Sequence, residues 1–79
     1  MSPKLPRVTC DKLIRALKRA GFEERRQRDS HLHLLREADR KRVTVPVHKG
    51  RTVPTVTLRA ILRDADIDVD EFRQLLQGQ

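Results

Sequence analysis

The segment "RQRDSHLHLLRE", Arg26 to Glu37, sets His31 and His33 two residues apart in a basic run, and His48 follows beside Lys49 and Arg51. The informative residues are Ser30, His31, His33 and His48, with the cations Arg26, Arg28, Lys49 and Arg51. A neutral imidazole, with an ordinary pKa near ~6.5, can take the proton of a ribose 2′-hydroxyl at neutral pH. The freed oxygen then attacks the adjacent phosphorus, while guanidinium or ammonium groups stabilise the charge that develops on the phosphoryl oxygens. DNA has no 2′-hydroxyl, so this route is confined to RNA. A second acid must serve the leaving oxygen, and His48 and bound water both qualify.

Two other readings of the same histidines stand beside this one. They are polar residues of a half-exposed strand, or they are metal ligands. Zinc on His31, His33 and His48 needs a further ligand and outer hydrogen bonds. The nearby carboxylates, Asp29 and Glu37, fall off the expected face or beyond the strand, so no metal is expected. Ser30 and His31 are adjacent, hence on opposite strand faces, and Ser30 is read as holding backbone or phosphate rather than as a nucleophile. Cys10 lies near a helix N-terminus with no base evident in sequence, and is read as a small passive residue. "HKGR" is too short for a phosphate-binding loop.

The elements that must position these groups follow from periodicity. "TCDKLIRALKRAGF" is helical: Thr9 is an N-cap, Asp11 sits in the first turn, Leu13, Ile14, Leu17 and Ala20 fall on one side, and Gly21 suits the left-handed end. "EERRQR" is polar throughout and reads as an edge strand. "HLHLLR" alternates, with His31, His33 and Leu35 opposite Leu32 and Leu34. "EADRK" is a turn, and "RVTVPV" alternates again. Pro46 has no amide hydrogen to donate, which places it on a sheet edge or at a strand end. A helix follows Pro54, with Val56, Leu58, Ile61 and Leu62 as its apolar side. "DVDEFRQLL" is a short last helix, with Asp68 and Glu71 as a capping-box pair and Phe72, Leu75 and Leu76 facing inward. The expected fold class is α+β: a three-stranded antiparallel sheet with helices on one face.

The chain has 79 residues, net charge +7 and 37% charged residues. That length suits a single domain, 1–79, with 1–8 as a short basic arm. Residues 1–59 carry 16 Lys and Arg against 6 Asp and Glu, whereas residues 60–79 carry 2 against 5. The cations are mostly arginine, whose planar fork suits phosphate, and a domain with this balance is expected to meet nucleic acid. There is no Trp or Tyr and there are only two Phe, so modules that stack bases on aromatic platforms are excluded. One cysteine excludes an internal disulfide. With no secretory signal and no apolar run near the ~18 residues of a membrane span, the expected location is the cytoplasm.

Three stretches, "LIRALKRAGFEERRQRDSHLHL", "RVTVPVHKGR" and "TLRAILRDADIDVDEF", together resemble the HicA toxin family from about Leu13 to Leu76. In that family a helix ending in Gly-Phe leads to a basic Gly-Ser-His segment, a Val-Pro-x-His segment and a Gly-Thr-Leu-Arg helix. The resemblance implies a fold like the double-stranded-RNA-binding domain, α-β-β-β-α. It implies an endoribonuclease that cleaves mRNA and so stops translation, with a HicB-type antitoxin as partner; no cofactor is expected, and the free chain is expected to be a monomer. The family's catalytic histidine falls on His31 and its Val-Pro-x-His histidine on His48, in a supporting role. Where the family has glycine, this chain has Asp29, Val56 and Asp66. Two alternatives accompany the nuclease: a non-catalytic module of double-stranded-RNA-binding type, and a basic face that docks an acidic protein.

Overall fold

A computed structural model describes residues 5–78. The order is α1 (Cys10–Arg19), β1 (Glu23–Arg28), β2 (His31–Arg36), β3 (Lys41–Pro46), α2 (Thr55–Ala65) and α3 (Val69–Leu76). The strands form one antiparallel sheet in the order β1-β2-β3. This is the α+β, α-β-β-β-α arrangement expected from the periodicity, with α3 appended.

Local chemistry accounts for each boundary. The Lys12 amide donates to Thr9 Oγ1 at 3.4 Å and the Glu71 amide to Asp68 Oδ1 at 2.7 Å, so both side chains cap helix starts as expected. Gly21 follows α1 at φ +102°, a conformation that a Cβ would strain. Pro46 is the last residue of an edge strand, where its missing donor costs no ladder bond.

Leu32, Leu34, Val43 and Val45 of the sheet pack against Leu13, Leu17, Leu58, Leu62 and Phe72 of the helices. The other side of β2 and β3 carries His31, His33, Arg42 and Thr44. β1 contributes nothing to the core and is exposed along its whole length. The reason is composition: its residues toward the helices, Glu24 and Gln27, pair with Leu34 and Leu32 but are polar. Glu24 instead forms an ion pair with Lys18 of α1.

Two expectations are corrected. Val56, assigned to the apolar side of α2, is 81% exposed. At about 100° per residue it falls roughly 170° from the centre of the buried stripe that Leu58, Ile61, Leu62 and Ala65 form, on the solvent side of α2. The basic arm is not wholly an arm. Val8 is buried, Leu5 packs against the core, and the Val53 amide donates to the Val8 carbonyl at 2.8 Å. Residues 1–4 lie outside the described residues.

Arg36 ties the layers together. Its guanidinium donates to the Ala20 carbonyl at the end of α1 (3.2 Å) and to the Ala65 carbonyl at the end of α2 (2.9 Å). It also makes a two-pronged contact with Asp39 at 2.9 and 2.8 Å, and stands 4.7 Å from the centre of the Phe22 ring. Positive charge at two helix C-termini opposes the partial negative charge there.

Candidate nucleic-acid interface and catalytic histidine

The site begins with a tight turn. Arg28 and His31 are cross-strand partners, leaving Asp29 and Ser30 as a two-residue hairpin loop. Asp29 has φ +56°. Positive φ at the first central position is the demand that makes glycine the usual choice in such turns, and Asp is among the few residues that tolerate it. The turn sets His31 as the first residue of β2, with Arg28 on one side and Pro46 on the other. Directly opposed residues share a face, so Arg28, His31 and Pro46 form one row across the open side. His31 is exposed.

The next row on that side lies about 7 Å further along, two residues at strand rise. It holds Arg26, His33 and Thr44. His33 is half-buried and its Nδ1 lies 3.1 Å from Thr44 Oγ1. The row beyond pairs Leu35 with Arg42. Between Glu24 and Arg26 the register shifts, leaving Arg25 as an extra residue of β1. Arg25 reaches Glu37 at 2.5 Å, and Glu37 also holds Arg40 at 3.0 Å. A cleft of about 670 Å³ borders this inner part of the sheet and reaches α2, lined among others by Arg26, His33, Arg42, Thr44, Ile61 and Asp64. It does not include His31.

The segment after β3 is pinned to the same end of the sheet. The Val47 amide donates to the Ser30 carbonyl at 2.6 Å. The His48 carbonyl accepts from the Arg51 amide at 3.1 Å and from the Cys10 thiol at 3.5 Å. Lys49 and Arg51 are exposed, and the turn between them uses Gly50 at φ +75°.

All the residues singled out in sequence therefore fall on or beside one region. Arg28, Ser30 and His31 meet the loop of His48, Lys49 and Arg51 at the sheet end, and Arg26 and His33 lie one row inward. No hydrogen bond joins His31 to His48 among the described residues, and no group of three or more His, Cys, Asp or Glu there is placed to hold a metal ion. Sequence reading passed over Thr44 and Arg42. Extending the hairpin register from Arg36 and Lys41 places Thr44 opposite His33 and Arg42 opposite Leu35, so the signal was the register rather than the residue types.

The family model described as HicA toxin of bacterial toxin-antitoxin matches residues 10–67. The chain belongs to the HicA toxin family. No curated protein sequence matches it. HicA membership makes it a toxin of a toxin–antitoxin pair and implies a HicB-type antitoxin as its partner. No helix is long and apolar enough to cross a membrane, among the described residues. The departures from HicA glycines gain a physical account. Asp29 (φ +56°) and Asp66 (φ +58°, ending α2) both occupy left-handed positions, so the fold keeps the glycine-type backbone while the side chain changes. Val56 is helical and exposed, and its position makes no such demand.

Proposed function

We propose that this HicA chain is an mRNA-cleaving endoribonuclease that needs no metal, with His31 as the general acid–base group. The observation that carries the reading is the row of Arg28 beside exposed His31 on the open side of the sheet. In this mechanism the His31 imidazole takes the 2′-hydroxyl proton and the 2′-oxygen attacks the neighbouring phosphorus. The bond from phosphorus to the 5′-oxygen breaks, and that oxygen takes up a proton from His48 or from bound water. The products are a 2′,3′-cyclic phosphate and a 5′-hydroxyl. Arg28, with Lys49 and Arg51 from the adjoining loop, stabilises the phosphoryl charge. Arg26, Ser30, His33 and His48 hold RNA or support the loop. The toxin acts as a monomer on cytoplasmic mRNA until its HicB-type antitoxin covers His31.

The test is RNA cleavage by the purified protein and by His31→Ala, with and without chelator. The native protein gives fragments ending in cyclic phosphate in either buffer. His31→Ala loses about 100-fold or more in rate, while its urea midpoint stays near that of the parent, as suits an exposed position. Equal cleavage by the variant, or cleavage that stops in chelator, refutes the assignment. A second reading, RNA binding without cleavage, is favoured by the lack, among the described residues, of a hydrogen bond joining His31 to a second acid–base group such as His48. It is adopted if the native protein binds RNA and yields no product.

A further inference from the structure

Away from the His31 side, the N-terminal segment, α1 and α3 enclose a groove of about 270 Å³. It is lined by Pro6, Arg7, Val8, Lys12, Arg15, Arg19 and Leu76. Four of the seven lining residues are cations, and none is acidic. At about 100° per residue, Lys12, Arg15 and Arg19 fall within roughly 60° of one another on α1. All four cations are exposed. Among the described residues none of them enters an ion pair, although Lys18, on the neighbouring flank of the same helix, pairs with Glu24. Arg19 gives one N–H to the Leu75 carbonyl at 2.6 Å, which fixes its stem against α3. Like charges gathered without counterions repel, and neither core packing nor the sheet site calls for this arrangement.

We propose that this groove is a second binding site for the phosphodiester backbone of RNA, holding the substrate at a distance from the cleaved bond. The inference rests on the reading of the chain as RNA-directed. Three of the four cations are arginines, whose forks match phosphate oxygens. No aromatic ring lines the groove, so it grips backbone rather than stacked bases. A chain of contacts connects it to His31. Ser30 bonds Val47, the loop continues to His48, and the His48 carbonyl receives the thiol of Cys10, the first residue of α1. Lys12 stands two residues further on. Lys49 and Arg51 are thus carried on the loop that links the sheet end to the start of α1, where the exposed cations outnumber the two carboxylates, Asp29 and Asp11.

The test uses the full chain with His31→Ala as parent, so that RNA stays intact, and polyuridylate as probe. Lys12→Gln with Arg15→Gln weakens binding about ten-fold or more near physiological salt, and lowers the slope of log affinity against log salt by about 1.4, roughly 0.7 for each lost contact to a single strand. Arg63→Gln with Arg73→Gln removes the same charge elsewhere and leaves both quantities near the parent. Equal loss in the two double variants overturns the proposal, because net charge alone then explains it. Unchanged polyuridylate binding by the Lys12, Arg15 variant also overturns it, and a weakened antitoxin complex in that case assigns the groove to protein. Because binding is read separately from cleavage, a native chain that cuts no RNA but shows the groove-dependent slope refutes the nuclease and keeps the groove.

Discussion

At the scale of single residues, Asp29 is where backbone and electrostatics pull in different directions. A left-handed φ costs a non-glycine residue about 1 kcal/mol, but glycine's extra unfolded-state freedom costs about 0.5–1 kcal/mol. The two nearly cancel, so Asp29→Gly is expected to shift stability by no more than about 0.5 kcal/mol in urea melts. Charge then decides the outcome: losing a carboxylate two residues from His31 raises RNA affinity and cleavage. A variant whose cleavage falls would show that Asp29 aids the reaction. The neighbouring pair His33 and Thr44 differs, because its hydrogen bond crosses β2 to β3. Thr44→Val leaves the His33 ring without that partner, and is expected to weaken RNA cleavage more than it lowers the melting temperature.

At the scale of elements, one side chain joins the sheet hairpin to both helix ends. Arg36→Met removes its bonds to Ala20, Ala65 and Asp39. A loss of about 2–4 kcal/mol is expected in chemical denaturation, a large share of the roughly 4–12 kcal/mol typical of a chain this long. Arg36→Lys recovers little, since an ammonium cannot span the same acceptors. The hydrogen bond from Arg36 also holds the Asp39 carboxyl below its ordinary value, and Asp39 in turn raises that of Arg36. A lowered carboxylate pKa stabilises the fold above the unfolded value near ~4 and loses that effect as pH falls through the folded value. Asp39→Asn should therefore flatten the acid limb of the stability profile below about pH 4, with little change in its shape near neutrality. The helices, strands and turns were legible because caps, Gly21, Pro46 and strict alternation act locally. Val56 misled because its apolar type grouped it with Leu58, Ile61 and Leu62, although helical spacing puts it on the opposite face of α2. Arg36 looked like one charge among many, since its partners at Ala20 and Ala65 are backbone atoms far away in sequence.

At the scale of the whole molecule, the candidate site was legible to the extent that its residues cluster in sequence. Arg26 to His33 form one hairpin, and that alone gathers them. The approach of His48 through Ser30 and Cys10, and the groove that Arg7 shares with α1, depend on the closed fold and had no signature in spacing. The ladder of stability is also uneven. β1 has no buried side chain and is held by its bonds to β2 and by two exposed ion pairs, Lys18 with Glu24 and Arg25 with Glu37. Segments with few apolar contacts open at lower cost than the core. Amides of β1 should accordingly exchange with deuterium faster than those of β3, and Arg28 would part from His31 during each such excursion. Warming would then silence the toxin while its helical signal remains intact, making loss of catalysis an earlier event than denaturation.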